Sequence, residues 1–463
     1  MAVSMPRLGS AGPGPGGAPL WQGGADRQSA LALLGALCIF LSAAEYLIPK
    51  PLPFMRIGLA NMPLLLALGM FGARDFFLLA LLKVAGQGLI GGAFLSFVFL
   101  FSVAGTFASA AVMLALGRLR GKRLSLVGIS CAGAMASNGA QLLIARHPAL
   151  FGEAARYLAP PFLAAGLIAG IALGIVCERF CRVSRWHALR SGSPAPSPEA
   201  FAAALAAAGA DAVKAGEAGA GAGAASGAGR AAAGEAARLA RARRWDGMFG
   251  AGRLFAAGLA MALVFLSERS LPGHFAQFLF FCLLARLSGK SNNWPASAAL
   301  AGGIVFFSLL VPHGRVLFAL GPLPVTQGSL LAGLEKALTI SGLMMLSRAC
   351  VRDALRLPGA LGSLLARSLR LLGMMRGKKA LIKRGSAFAG IDRMMLEMEA
   401  ACAAEAEQPA DQDAARNNAR RRSALRENAR RIFAPGGGAK GALLLAAMAL
   451  LAAALGQAGR LLP

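Results

Sequence analysis

The residues of this 463-residue chain best suited to chemistry are few, and they lie within or beside long apolar runs. Glu45, Arg56, Asn61, Lys83, Gln87, Asn138 and Gln141 place carboxylate, guanidinium, ammonium and amide groups among hydrocarbon side chains. An ionisable group in such surroundings is costly, so function is its default reading. The stretch Arg56-Ile57-Gly58-Leu59-Ala60-Asn61-Met62-Pro63 gathers a charge, a glycine, an amide and a proline between two apolar runs. Such a segment belongs at a membrane interface or along the wall of a polar cavity. Arg56, Asn61 and Lys83 suit a small anionic or amphiphilic ligand held by charge-assisted hydrogen bonds. Each candidate has a second reading. Glu45 and Arg56 flank a loop and equally suit the headgroup layer, Lys83 can snorkel along its own stem, and Asn138 and Gln141 can serve as hydrogen-bonding glue between helices.

Catalytic patterns are missing from the sequence. Ser288-Gly289-Lys290-Ser291 ends like a phosphate-binding loop, but position 284 is leucine and no strand precedes it. Gly436-Gly437-Gly438-Ala439-Lys440-Gly441 lacks the hydroxyl residue after the lysine, and no aspartate-rich D-D-x-x-D cluster offers ligands for magnesium diphosphate. The seven cysteines form no C-x-x-C pair, and the four histidines are scattered. The cysteines therefore read as small hydrophobes. The sequence thus predicts a protein that is not an enzyme, with no catalytic residues, no cofactor and no metal.

The elements that must position the polar residues are helices in a bilayer. The chain is 56% hydrophobic and only 15% charged, and its apolar residues come in blocks of membrane-spanning length. The net charge of +27 collects in the connections between blocks. That pattern fits membrane topology rather than nucleic acid, and no aromatic residues interleave with the basic runs. The fold class is therefore all-α: a polytopic membrane protein with a six-helix N-terminal module, about five further transmembrane helices and cytoplasmic amphipathic helices. The six N-terminal blocks begin at Leu31, Ile57, Phe76, Ser102, Leu124 and Tyr157; the second runs to Phe71 and the third to Phe101.

Composition divides the chain as follows. Residues 1–30 are a Gly/Pro-rich tail, 31–178 the six-helix module, and 179–245 an Ala/Gly-rich linker between basic ends. Residues 246–351 form a transmembrane scaffold, 352–440 a basic segment with amphipathic helices over Leu361–Ile382 and 416–431, and 441–463 a last helix whose apolar block is short. The basic connections place the N-terminus and the 179–245 linker in the cytoplasm, in a cell inner or cytoplasmic membrane.

These residues carry a resemblance. Arg56 to Pro63, then Lys83 with Gly91-Gly92-Ala93-Phe94-Leu95-Ser96, then Ser125 to Ser130 with Asn138-Gly139-Ala140-Gln141, resemble the Gx transporter family, often labelled heptaprenyl diphosphate synthase component I. That family is similar to the substrate-binding (S) components of energy-coupling-factor transporters, and the resemblance covers roughly Leu31 to Glu178. The second half resembles the transmembrane (T) component of the same transporters through Pro312 to Phe318, Gly321-Pro322, Thr326 to Ser329, Gly333-Leu334 and Ser347-Arg348. The resemblance implies a fused small-molecule-binding and scaffold unit in the lipid bilayer, powered by separate ATP-binding-cassette ATPase subunits. It also implies roles for particular residues. Arg56, Asn61, Lys83, Asn138, Gln141 and Glu45 would line the substrate site. Ala32 and Ala36 would form the face by which the S-like module meets the T-like one. Arg367, in Ala366-Arg367-Ser368, and Arg376, in Met375-Arg376-Gly377, would dock ATPases, although Met375 departs from the alanine of the pattern. The family label offers an alternative, a membrane component of polyprenyl diphosphate synthesis.

Overall fold

The computed structural model describes residues 24–45, 58–91, 93–117, 124–147, 150–191, 237–238, 240–242, 244–268, 270–289, 294–320, 323–352, 359–377, 387–406 and 439–460. The helices are α1 (Gly24–Glu45), α2 (Met62–Leu66), α3 (Ala73–Gly91), α4 (Phe97–Gly117), α5 (Leu126–Ala145), α6 (Ala155–Val183) and α7 (Arg185–Ser191). They continue with α8 (Ala251–Ser267), α9 (Leu271–Leu287) and α10 (Trp294–Leu309). A hairpin of β1 (Val316–Leu320) and β2 (Leu323–Thr326) leads into α11 (Gln327–Cys350). Helices α12 (Gly359–Gly377) and α13 (Ala387–Ala406) precede the last helix, α14 (Ala439–Arg460). Six helices among the described residues are long and apolar enough to cross a membrane, and a seventh span arises if Ala240–Met248 and α8 form one bent crossing. The protein is an all-α polytopic membrane protein, as the apolar blocks predict.

Two predicted spans need correction. The block Ile57–Phe71 holds only a 3-10 turn (Leu59–Asn61) and the five-residue α2. Gly58 and Gly69 both adopt left-handed backbone, with φ of 87° and 86°. Only glycine takes this conformation readily; Gly58 sits just before the 3-10 turn and Gly69 in the turn after α2. Five residues rise about 7.5 Å, far less than a bilayer. Yet α1 and α3 run parallel: Arg27 near the start of α1 pairs with Asp75 near the start of α3, and Ser42 near the end of α1 bonds Gln87 near the end of α3. The chain between them must therefore return across the module, and it does so in part as buried irregular backbone. Met62 to Leu68, the short α2 and the turn after it, are all buried, so the polar backbone groups at this break are enclosed by protein. The predicted block Phe76–Phe101 also breaks. The Ala93 amide closes back on Gly88 O at 2.9 Å, and Ser96 Oγ donates to Ala93 O at 2.7 Å, so α3 ends at Gly91 and a new helix starts at Phe97. In the opposite direction, the short C-terminal apolar block extends into a 22-residue helix.

Close packing in the N-terminal module rests on glycine. Gly166, Gly170 and Gly174 recur every fourth residue on α6, and a Cβ at Gly174 would lie 2.5 Å from Val127 Cα of α5. Small residues at this spacing let two membrane helices meet backbone to backbone.

Three apolar cores hold the molecule. One joins α1, α2, α3 and the inner faces of α4–α6 to α12 and α13. A second unites α8, α9, α11 and α14, and a third packs α4–α6 against α10 and α11. The opening residues of the expected linker are ordered helix: 179–183 extend α6, and α7 buries Trp186. Asp392 of α13 fixes α7 by accepting from the Ser184 hydroxyl and from the amides of Arg185 (3.2 Å) and Trp186 (3.0 Å). Arg190 pairs with Glu399 of the same helix; burial pulls its pKa below the ordinary arginine value, while Asp26 acts in the opposite sense. On the other side, Arg352 anchors the start of the basic segment. It is buried, grips Asp246 through two nitrogens (2.6 and 3.0 Å) and donates to Ser288 O at 3.0 Å.

Candidate functional site

The most concentrated polarity in the N-terminal module lies between α1, α3, α4 and the returning segment. Its centre is Lys83, which is 4% exposed. Gly58 makes the turn that places Asn61: the Asn61 amide bonds Gly58 O at 2.7 Å, and the side-chain amide folds over Gly58. Asn61 Oδ1 then accepts from Lys83 Nζ, and Thr106 Oγ1 of α4 accepts from the same ammonium at 3.2 Å. One turn along α3, Gln87 Nε2 donates to Ser42 Oγ of α1 at 2.8 Å, and Gln87 Oε1 accepts from Ser102 Oγ of α4 at 3.4 Å.

The spacing explains why these groups meet. Lys83 and Gln87 are four apart on α3, as Ser102 and Thr106 are on α4, while Ser42 and Glu45 are three apart on α1. Residues three or four apart share a helix face. Helices α3 and α4 therefore each turn a two-residue polar stripe toward one seam, to which α1 adds Ser42 and the 3-10 turn adds Asn61. The ammonium is the positive group of the seam, and in this structure acceptor oxygens of Asn61 and Thr106 occupy part of its hydrogen-bonding capacity. Gly86 lets α1 approach α3 beside this seam, since a Cβ there would lie 2.2 Å from Ile39 Cδ1.

The remaining candidates fall in several places. Glu45 is buried at the end of α1, one turn beyond Ser42. Gln141 packs over Gly105 of α4 and donates to Ser137 Oγ at 3.0 Å, while Asn138 faces α6 and donates to Phe162 O at 2.8 Å. Both therefore bridge α5 to its neighbours. Arg56 lies outside the described residues. Ala32 and Ala36 are fully buried on α1. Gly35 between them faces Ser368 of α12, whose Oγ would lie 2.9 Å from a Cβ at position 35. Arg367, next in the chain, is half-buried, and the side chain of Arg376 lies outside the described residues. The two halves also meet at Leu95, whose amide bonds Ser347 Oγ of α11 at 3.0 Å. Among the described residues, no group of three or more His, Cys, Asp or Glu side chains gathers that could hold a metal ion.

Sequence reasoning missed Ser42, Ser102 and Thr106. Singly, a hydroxyl in an alanine-rich helix is unremarked; the signal that finds these is their registration, one turn apart, opposite Lys83 and Gln87.

Residues 34–180 match the family described as heptaprenyl diphosphate synthase component I, over the segment that carries the resemblance. Residues 253–353 match a domain of unknown function, DUF8519. No curated protein and no solved structure matches the chain.

Proposed function

We propose that the chain is the membrane unit of an energy-coupling-factor-type transporter, in which residues 31–178 bind a small anionic or amphiphilic molecule and the later helices form the scaffold. Separate ATPase subunits dock on the basic segment after Arg352 and drive the cycle. The observation that supports this best is the packing of α12 on α1 at Gly35 and Ser368. It joins the helix bearing Ala366-Arg367-Ser368 to the small-residue face of the binding module in one apolar core. Ser368 is buried on that contact, whereas Ala366 and Arg370 are exposed and available to a partner. Guanidinium groups on such a face suit an acidic or carbonyl-lined groove. The polar seam around Lys83 supplies the ligand side of the reading, and the family match over residues 34–180 agrees with an S-like module. The test is co-purification with ATPases. The chain is expected to retain them and an Arg367→Glu, Arg376→Glu double variant to lose them; undiminished retention in the variant rejects this docking surface.

The family description favours a second reading, a component of polyprenyl diphosphate synthesis. Purified chain incubated with farnesyl and isopentenyl diphosphates and magnesium tests this reading: elongation by the chain without any partner supports it and overturns the transporter.

A further inference from the structure

The hairpin between α10 and α11 exposes apolar side chains where a water-facing loop would be polar. On β1, Val316, Leu317 and Phe318 are 55%, 51% and 55% exposed, and Ala319 is exposed as well. Neighbouring residues on a strand point to opposite faces, so both faces of this strand are apolar and uncovered. A protein partner seated on one face would leave the other bare. The inner strand behaves differently: Val325 and Thr326 of β2 are buried against the helices, and Thr326 Oγ1 accepts from the His313 amide at 3.1 Å and bonds Ser329 Oγ at 2.7 Å. The hairpin is therefore held firmly at its base, with its apolar strand outermost.

We infer that β1 lies in the lipid interface of the leaflet at the end of the scaffold remote from Arg352. Three observations carry this. First, apolar side chains are also exposed on the two helices that flank the hairpin, Phe306 on the short apolar helix α10 and Leu330, Leu331 and Leu334 on the candidate span α11. The hairpin extends a lipid-facing belt rather than standing apart from it. Second, Arg315 is exposed immediately before β1, and a guanidinium there suits phosphate headgroups. Third, pairing fixes the depth. Among the described residues β1 pairs with β2 alone, in a register broken between Val316 and Phe318. Its outer edge keeps backbone N–H and C=O groups that need water or headgroup partners, so the strand sits at headgroup level and not in the hydrocarbon core.

The test uses the full chain in lipid vesicles and two added tryptophans, Phe318→Trp and Ala319→Trp, which hold consecutive regular pairs and so lie one on each face of β1. The emission of each variant minus that of the parent isolates the added indole. In both variants we expect blue-shifted difference emission that is lost in vesicles of lipid brominated high on the acyl chain. Bromination near the chain end and aqueous iodide should leave most of it intact. Red-shifted emission lost to iodide in either variant overturns the inference and shows a face left in water, available to a protein or a strand-adding peptide. Quenching strongest with bromine near the chain end overturns it as well, since it places the strand in the hydrocarbon core. Both sites are exposed, so neither substitution disturbs packing, and unfolding midpoints equal to the parent's confirm that the variants fold.

Discussion

Gly35 and Ser368 allow the contact between the binding module and α12 to be measured as an interaction energy. An alanine at position 35 would bring its Cβ to 2.9 Å from Ser368 Oγ but only to 3.6 Å from Ser368 Cβ. The hydroxyl is thus the whole obstacle. Forcing a methyl into a filled core costs about 1–3 kcal/mol, while alanine in place of helical glycine gains about 1 kcal/mol. Gly35→Ala alone should therefore destabilise by roughly 0–2 kcal/mol. Ser368 Oγ is buried and has no hydrogen-bond partner among the described residues. Ser368→Ala alone should thus be neutral or stabilising by about 1 kcal/mol. With both changes the clash disappears and the helix gain remains, so the double variant should exceed the parent in stability, with a coupling of about 1–3 kcal/mol. The assay is denaturant unfolding of the full chain in detergent for all four proteins. Effects that add to within about 0.5 kcal/mol would refute the joint core of α1 and α12.

Other expectations follow from the same geometry. Lys83→Met should weaken binding of an anionic ligand about tenfold to a hundredfold, the worth of a charge-assisted hydrogen bond, as read by titration calorimetry. Its effect on stability should be small, because the desolvation of the ammonium disappears along with its bonds. Asp392→Ala removes the acceptor for Ser184, Arg185 and Trp186 and should cost about 1.5–3 kcal/mol, opening residues 185–191 to protease; Asp392→Asn, which keeps the shape, should do less. Gly174→Val meets the Val127 backbone and should prevent accumulation of folded protein, whereas Gly139→Ala, with nothing within 4 Å, should be silent.

Much of the architecture was legible because bilayer thickness imposes a length that apolar blocks reveal directly. All five apolar blocks after residue 246 are helices, and the basic ends mark where α6, α9 and α11 stop. The returning segment was not legible. Its apolar residues look like a span, and only the left-handed glycines at 58 and 69, which sequence alone does not distinguish from helical ones, cut it short. At the site, Asn61 and Lys83 were both visible as costly polar groups, but their hydrogen bond depends on the Gly58 turn. The hydroxyl partners on α1 and α4 were hidden by their ordinariness. Ala32 and Ala36 marked a close-packing face, yet nothing near them in the chain pointed to Ser368, because the pairing is made by tertiary structure alone.

The proposed coupling of ligand binding near Lys83 to ATP hydrolysis through the basic segment is open to an uptake assay, using vesicles that contain the full chain, with and without ATPase subunits, and a ligand first identified by thermal shift. Uptake is expected only with ATPases and ATP. Arg367→Glu should abolish uptake while leaving ligand binding intact. Uptake at the full rate without any ATPase would contradict the coupling and mark the protein as an independent carrier.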